Sequence, residues 1–328
     1  MILEMCEMNI VVIGLGSMGK RRIRLIKDIY PDYNIVGIDV RVDRIEEASS
    51  KFGIECSNSI DNIKKVDCAF ICTSPLSHNN LIHQCLIRGW NVFTELNLVQ
   101  DGYQENMSFA KEQGKTLFLS STLLYREEIR YIRSKISGNK KWNYIYHIGQ
   151  YLPDWHPWEN YKEFFIGDKR TNGCREIMAI ELPWITSTFG EVEIVNVLSD
   201  KLTRLNIDYK DNFIIQFQHK NGNKGVLIVD VVSPIAVRKL EIYSEGGYIS
   251  WNGTPDSVFE YNSECKKLVH VTLSEHPLHM EGYSAFVVEN AYKNEIREFF
   301  NVVNGITSEQ YGFEQDLDVL KLIDKIGA

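Results

Sequence analysis

Several features of membrane and nucleic-acid-binding proteins are missing from this sequence. It has no uninterrupted apolar run of about 18 residues, the length that a membrane-spanning helix needs. No N-terminal stretch combines basic residues, an apolar segment and a cleavage site, so we expect no signal peptide. The 36 Lys and Arg residues are outnumbered by 44 Asp and Glu, and the formal net charge of -8 argues against nucleic acid or an anionic membrane as a main partner.

Cysteine usage points to a reducing compartment. The chain has seven cysteines, an odd number with scattered spacing, and no Cys-x-x-Cys pair. Such thiols are typical of small apolar core residues and predict neither a disulfide framework nor a metal site. We therefore expect a cytoplasmic protein.

Length and composition predict two globular domains. At 328 residues the chain is too long for one ordinary core, and its 44% hydrophobic and 24% charged residues are those of a folded protein. Strands and helices alternate in the first 120 residues, and this alternation predicts a doubly wound parallel sheet, an α/β fold. The predicted strands are 9–13, 35–38, 68–72, 91–94 and 116–119, with helices at 44–52, 81–88 and 105–113 and one more after the first strand.

After residue 121 the pattern changes to consecutive strands joined by tight turns. This pattern predicts a second α/β domain, residues 122–328, with a large, mostly antiparallel open sheet that helices or another subunit must cover. An apolar stripe from Tyr292 to Val303 and a helix at 315–326 are available as cover, and the last helix can instead pack back on the first domain, residues 1–121. The predicted strands are 144–150, 192–198, 213–218, 225–231, 237–244 and 267–272.

A Gly-x-Gly-x-x-Gly motif joins the first predicted strand to the first helix. In that context the first glycine makes a tight turn, the second lets the backbone approach a pyrophosphate, and the third lets helix and strand pack closely. The helix N-terminus then faces the phosphates with its positive end. The motif predicts a dinucleotide site made by Gly14, Gly16, Ser17, Met18 and Gly19.

The end of the second strand bears on the choice of cofactor. Asp39 lies there, twenty residues after Gly19, where an acid binds both ribose hydroxyls of NAD and repels the 2′-phosphate of NADP. Arg41 can instead pair with that phosphate. We predict NAD as the cofactor, with NADP as the alternative.

The loop after the 68–72 strand is expected to line the ligand crevice, because crevices form at the carboxyl ends of parallel strands. His78 either faces the cofactor or only begins its helix. The expected cofactor neighbours in this loop are Thr73, Ser74, Pro75 and His78.

With these motifs the chain resembles the Gfo/Idh/MocA oxidoreductase family. The resemblance rests on the glycine motif, Asp39, the segment from Thr73 to His78, and Gly89 to Glu95. It implies NAD(P)-linked oxidation or reduction of a CH–OH group, usually of a sugar, cyclitol or sugar nucleotide. It also implies an oligomer, a dimer or tetramer, formed through the open sheet, and a place for Glu95 near the nicotinamide ribose.

Two signatures depart from the family pattern, the second also at Pro183, which stands at an aspartate place. The family has Glu-Lys-Pro where this chain has Glu95-Leu96-Asn97, so the usual catalytic lysine is missing, and we expect Asn97 to face the substrate. In the second signature, Glu176 stands at the acid position, but Ile180 replaces the histidine. The familiar Lys–His pair is therefore absent.

Other groups can carry the proton, and the aromatic segment 151–162 is the first place to look. Its tryptophan faces suit sugar rings, and its polar groups can bind hydroxyls or move protons; alternatively the aromatics fill the core and the polar groups cap turns. Glu181 is a further candidate that can point into the cleft. The predicted proton carriers are Asp154, His156, Lys162 and Glu181, and the predicted substrate contacts are Trp155, Trp158 and Tyr161.

A second hypothesis is that the redox step is lost and the protein only binds ligands. Intact cofactor residues beside a missing catalytic pair are what a cofactor-bound sensor or accessory protein is expected to show.

Overall fold

The computed structural model describes residues 7–61, 63–136, 138, 140–155, 160–273 and 286–328. The chain divides into two compact units. The first comprises Met1–Ser121 and Tyr292–Leu317, and the second comprises Thr122–Ala291 and Asp318–Ala328. No helix among the described residues has the length and hydropathy needed to cross a bilayer.

The first unit is built on a six-stranded parallel sheet in the order β3-β2-β1-β4-β5-β6. This is the doubly wound arrangement, whose strand order reverses between β1 and β4 and opens a crevice there. The strands are β1 (Asn9–Ile13), β2 (Asn34–Ile38), β3 (Glu55–Ser57), β4 (Cys68–Ile71), β5 (Asn91–Thr94) and β6 (Leu117–Leu119). The helices between them are α1 (Ser17–Ile29), α2 (Val42–Phe52), α3 (His78–Ile87) and α4 (Tyr103–Gln113).

The second unit contains an eight-stranded sheet in the order β14-β13-β12-β11-β7-β10-β9-β8. Its one parallel pair among the described residues joins β7 to β10, so the sheet is mostly antiparallel and the predicted fold class is confirmed. The strands are β7 (Asn143–Gly149), β8 (Val192–Asp200), β9 (Asn212–His219), β10 (Lys224–Asp230), β11 (Val237–Ser244), β12 (Gly247–Trp251), β13 (Phe259–Asn262) and β14 (Lys267–His270). The helices of this unit are α5 (Glu127–Ile136) and α6 (Gly173–Phe189); of the last two helices, most of α7 (Glu289–Val303) belongs to the first unit, and α8 (Phe313–Ile326) is divided between the units.

Helix α6 covers one face of this sheet. The ring of Tyr144 lies 4.2 Å from that of Phe189, and Tyr146 lies 5.4 Å from Trp184, measured between centroids. Alternate residues on β7, β8, β9 and β11 point to the opposite face, as strand periodicity requires. That face is apolar and exposed at Ile145, Ile194, Leu198, Ile214 and Tyr243.

Helix α7 packs on the first sheet, which corrects the expectation that the Tyr292–Val303 stripe covers the antiparallel sheet. The ring of Phe299 lies 5.2 Å from Phe70 and 5.5 Å from Phe93. Edge-to-face aromatic pairs of this kind add to the stability that apolar burial gives. The apolar stripe was recognisable in the sequence, but its partner was not.

A buried ion cluster joins α7 to α1 inside the first unit. The Arg22 guanidinium, fully buried, lies 2.7 Å from Glu295 and 2.6 Å from Glu95. Glu295 also accepts hydrogen bonds from the Ser120 hydroxyl at 3.0 Å and the Ser121 N–H at 2.7 Å. Burial lowers the pKa of Arg22, but the two carboxylates more than offset this and raise it overall.

Replacing Glu295 with alanine is expected to destabilise the protein by about 3 kcal/mol or more, because Arg22 and the serine donors lose a buried acceptor. The free energy of unfolding is measured by chemical denaturation at an unchanged m-value. Lys293→Ala on the same helix is the matched control, because it removes only a surface pair with Asp28 and should cost less than about 1 kcal/mol. Equal shifts in the two variants contradict the role given to the cluster.

Candidate active site

The glycine turn between β1 and α1 admits no larger residue at two positions. Gly14 has a φ of +93°, and a β-carbon there would lie 2.7 Å from the carbonyl oxygen of Cys72. A β-carbon at Gly19 would lie 1.8 Å from the Gly14 carbonyl oxygen. Helix and strand therefore approach as closely as a dinucleotide-binding turn requires.

The N-terminal end of α1 presents its backbone N–H groups to solvent. In this helix, which the structure describes in full, Gly16 makes no side-chain capping bond and the first turn holds no acidic residue. Ser17 is exposed and Met18 half-buried. Because unpaired N–H groups and the helix dipole attract anions, this end fits the pyrophosphate of a dinucleotide.

Asp39, at the end of β2, turns its carboxylate toward the glycine turn. Its Oδ2 accepts a hydrogen bond of 2.7 Å from the Leu15 N–H, and its Oδ1 accepts one of 2.9 Å from the Arg41 N–H. The Arg41 guanidinium pairs with Asp43 at the surface, whereas the Arg44 guanidinium lies 3.7 Å from Asp39. Asp39 thus fixes the turn, and its contact with a ribose stays a prediction.

The segment after β4 forms a short turn that leads into α3. The hydroxyl oxygens of Thr73 and Ser77 lie 2.7 Å apart, and the Ser77 hydroxyl donates to the Ser74 carbonyl at 2.7 Å. Pro75 is buried at the start of the turn. The loop therefore has a fixed shape at the carboxyl end of β4, beside the strand that leads into the glycine turn.

His78 and Asn97 are partners inside the first unit. Each is 2% exposed. The His78 Nε2 lies 2.9 Å from the Thr73 carbonyl oxygen, and its Nδ1 lies 2.5 Å from the Asn97 Oδ1 and 3.2 Å from the Thr94 hydroxyl oxygen. Burial lowers the pKa of His78. Asn97 therefore contacts this loop from the interior of the unit, and its predicted contact with the substrate stays a prediction.

Glu95 is held at the end of β5 by the buried guanidinium of Arg22, 2.6 Å from its Oε1. Its side chain keeps 13% exposure, so part of the carboxylate edge reaches the surface of the unit. Leu96 follows it, half-buried, where the family has lysine. The chain thus retains the family's glutamate at Glu95 and has the apolar Leu96 where the family has a lysine.

The aromatic segment of the second unit is only partly described. His156 and Trp158 lie outside the described residues. Asp154 and Lys162 are exposed and Tyr161 is half-buried. The Trp155 indole N–H donates to the Gln150 carbonyl at 3.0 Å, which anchors this ring to the segment that follows β7. The proton-carrying and substrate-binding roles predicted for this segment stay predictions.

Glu181 belongs to the core of the second unit and not to an open site. It is fully buried and accepts hydrogen bonds from the Tyr146 hydroxyl at 2.8 Å and the Trp184 indole N–H at 2.7 Å. Arg238 lies 2.7 Å from its other oxygen. Arg238 balances the charge of Glu181, which links α6 to the sheet, and the Oε1 of this glutamate makes no hydrogen bond within the described residues. The proton-carrying role predicted for Glu181 stays a prediction.

Glu176, five residues earlier in α6, has the opposite environment. Its Oε2 is buried and makes no hydrogen bond within the described part of the chain. Burial raises the pKa of Glu176 to about 7. The neighbouring Arg175 forms an ion pair with Asp324, with 2.8 Å between its Nη1 and the Asp324 Oδ1. The sequence placed Glu176 in the second family signature without giving it a role, and only the environment of its Oε2 distinguishes it.

Residues 8–121 match the family model described as "Oxidoreductase family, NAD-binding Rossmann fold", the Gfo/Idh/MocA model. These residues belong to the Gfo/Idh/MocA family. The glycine turn, Asp39 and Glu95 all lie within the matched segment. No group of three or more metal-ligating side chains occurs among the described residues.

The curated relatives are two biliverdin reductases A. The human protein is 26% identical over 196 residues, and the mouse protein is 25% identical over 199 residues. Each match covers 58% of this chain and 61% of the relative. The chain thus matches less than two thirds of their length.

Solved structures share the whole fold at low identity. A UDP-N-acetylglucosamine 3-dehydrogenase from Acidithiobacillus ferrooxidans has a TM-score of 0.76 at 16% identity, over 98% of this chain and 97% of that chain. A levoglucosan dehydrogenase bound to NADH and levoglucosan has a TM-score of 0.78 at 16% identity, over 98% and 96%. A myo-inositol dehydrogenase from Corynebacterium glutamicum has 0.76 at 16%, over 98% and 95%. At these identities the likeness establishes the fold.

Glu181→Gln is expected to lower stability and to leave dinucleotide binding unchanged, because Arg238 loses its charge partner in a buried position. The expected loss in free energy of unfolding is about 3 kcal/mol, measured by denaturation. NADH affinity, followed by fluorescence titration of the folded variant, is the control. A variant of wild-type stability contradicts the structural role of Glu181.

Proposed function

We propose that the protein is an NAD(P)-dependent oxidoreductase that acts on a CH–OH group of a sugar, cyclitol or sugar nucleotide, with Glu176 as its proton carrier. The family of residues 8–121 supports the redox class. The substrate class is supported by the fold shared with dehydrogenases named for levoglucosan and myo-inositol. One observation carries the proposal: Glu176, where the family signature has its acid, is half-buried, and its Oε2 is buried without a hydrogen bond from the described residues.

Oxidation of an alcohol releases the hydroxyl proton, so a base must take it, and reduction of a carbonyl needs an acid to return it. A bound nicotinamide cofactor supplies the hydride acceptor or donor. In this chain Leu96 and Ile180 replace the usual lysine and histidine and cannot perform the proton step. Glu176 can take the proton as a carboxylate and return it as a carboxylic acid.

The pKa of Glu176 determines at which pH the residue can act as a base and at which pH it can act as an acid. Burial raises this pKa to about 7, so the carboxylate prevails above pH 7 and the acid below it. Turnover in the oxidation direction is therefore expected to rise with pH through about 7, and turnover in the reduction direction to fall. The same raised pKa weakens folding as pH rises, because the folded state holds the proton more tightly than the unfolded state.

Glu176→Gln is expected to lower turnover by about 100-fold or more and to abolish this pH dependence, while NADH binding is retained. It should also stabilise the protein at pH 8 by about 1–2 kcal/mol, because a buried ionised group without a partner is removed. Glu176→Asp should keep partial activity. A variant with wild-type turnover excludes Glu176 as the proton carrier.

The activity is tested by following nicotinamide absorbance with NAD or NADP and a panel of sugars, cyclitols and sugar nucleotides, and in reverse with their keto forms. Because the curated relatives are named for biliverdin, biliverdin with NADH or NADPH belongs in the panel. A substrate-dependent signal establishes a redox enzyme and its class. Tight NADH binding with no turnover on any compound favours the second candidate, a cofactor-bound sensor or accessory protein, which Leu96 and Ile180 support.

We also propose that the exposed face of the large sheet binds a second copy of the chain, giving a homodimer or homotetramer. Its support is the apolar surface at Ile145, Leu198 and Ile214, of which Leu198 is 73% exposed. Leu198→Lys should shift the sedimentation-derived mass toward the monomer without lowering NADH affinity. A wild-type protein that is monomeric at high concentration contradicts this proposal.

A further inference from the structure

The ring of Tyr292, in the first turn of α7, contacts two adjacent arginines of α1. The guanidinium carbon of Arg21 lies 4.7 Å from the centre of this ring, and that of Arg22 lies 5.2 Å from it. Both distances are within the range of a cation–π contact, in which the negative face of an aromatic ring attracts a cation. One aromatic ring of α7 thus binds two cations of the helix that follows the glycine turn.

Tyr292 and Phe93 together hold the guanidinium of Arg22. Its carbon lies 4.5 Å from the centre of the Phe93 ring, so two aromatic rings contact this one cation. Its nitrogens make the polar contacts: Nε lies 2.6 Å from Glu95 Oε1, and Nη2 lies 2.7 Å from Glu295 Oε2. The donors of a guanidinium lie in its plane. Rings that fix this plane therefore also fix the direction of the bonds to Glu95.

The second arginine connects Tyr292 to the glycine turn. Arg21 is 6% exposed, and its Nη1 donates to the Met18 sulfur at 3.1 Å. Met18 belongs to the motif that predicts the dinucleotide site. Arg22, on the other hand, contacts Glu95, whose side chain keeps 13% exposure. Tyr292 is therefore linked through one arginine to the turn and through the other to the acid that is expected near the nicotinamide ribose.

We propose that Tyr292 is a positioning residue for the dinucleotide, whose ring holds Arg22 in the orientation that presents the Glu95 carboxylate to the nicotinamide ribose. The inference rests on the dinucleotide-binding role within the proposed function and on the place that the family resemblance predicts for Glu95. Without the ring, Arg22 keeps its carboxylates, but Phe93 alone holds its plane. Glu95 then occupies several orientations, and binding has to select one of them at a cost in affinity.

The test measures dissociation constants for NADH by fluorescence titration, and for ADP-ribose and 5′-ADP by displacement of NADH. ADP-ribose contains the second ribose and lacks the nicotinamide ring, whereas 5′-ADP lacks both. Tyr292→Met should weaken NADH and ADP-ribose by about tenfold and 5′-ADP by less than about twofold. Tyr292→Phe should bind all of these ligands within about twofold of the wild type, because the contacts use the ring and not the hydroxyl.

A trifluorinated phenylalanine at position 292 separates the cation–π contact from packing. Fluorine withdraws negative charge from the face of the ring and leaves its shape almost unchanged, so the variant should fold as Tyr292→Phe does. It should bind NADH and ADP-ribose about threefold or more weakly than Tyr292→Phe. A purely structural role of the ring would not produce this difference.

Tyr30→Met is the matched control, because it removes another half-buried tyrosine ring from the packing of α1 against α7. The Tyr30 ring stacks on Tyr33 at 4.7 Å and meets Phe300 edge-on at 5.0 Å between centroids. Tyr30→Met should lower stability and leave the ratio of NADH affinity to 5′-ADP affinity unchanged.

Glu95→Gln tests the step from Tyr292 to the ribose. If the ring acts through Glu95, its removal matters little once the carboxylate is gone. In the Glu95→Gln background, Tyr292→Met should therefore weaken NADH by about twofold or less, compared with about tenfold in the wild-type background.

Several outcomes overturn the inference while the proposed function stands. These are a Tyr292→Met variant that loses NADH and 5′-ADP equally, a fluorinated variant that binds NADH as tightly as Tyr292→Phe, and losses that simply add in the double variant with Glu95→Gln. A wild-type protein that does not bind NADH overturns both the inference and the proposed function. Because the readout is affinity, the absence of turnover leaves the test intact.

Discussion

The buried guanidinium of Arg22 is the constraint on which the first unit depends. It cannot be left without a counter-charge in a dry interior, so it requires carboxylates from elsewhere in the chain. Glu95 supplies one from the end of β5 and Glu295 the other from α7. The same ion cluster therefore fastens a distant helix to the sheet and orients Glu95, for which the family resemblance predicts a place near the nicotinamide ribose. A change at Arg22 therefore affects both the packing of α7 and the position of Glu95.

The loss of the family lysine is accompanied by a rearranged support of the loop after β5. Asn97 stands where the family has proline, and it meets the buried ring of His78. Proline fixes the backbone through its ring, whereas here a hydrogen-bonded pair between two loops gives comparable order. Leu96 then occupies the vacated position with an apolar side chain. The contact between Asn97 and His78 holds this loop. The replacement of lysine by Leu96 therefore changes the chemical character of the position while the loop stays ordered.

Local patterns in the sequence revealed much of the first unit and little of the long-range pairing. Short apolar strands that alternate with helices ending at glycine identify the parallel sheet, because each signal is contained in a few residues. Helix α6 was not predicted: Pro183 interrupts it, and apolar residues surround it on most sides, so no amphipathic period marks it. Helix α7 packs on Phe70 and Phe93 and pairs with Arg22, which lie about two hundred residues or more from it in the sequence. No local sequence pattern indicates these contacts.

Two glutamates on α6 show how burial separates structure from chemistry. Glu181 accepts hydrogen bonds at one oxygen from a tyrosine and a tryptophan, and its other oxygen lies beside an arginine that balances its charge. Glu176 is half-buried and has a buried oxygen that no described donor or cation reaches. Folding alone would not retain the second arrangement, since an unpaired buried acid lowers stability wherever it ionises. The proposed use in the reaction would compensate for that cost, whereas the contacts of Glu181 contribute to the packing of α6 on the sheet.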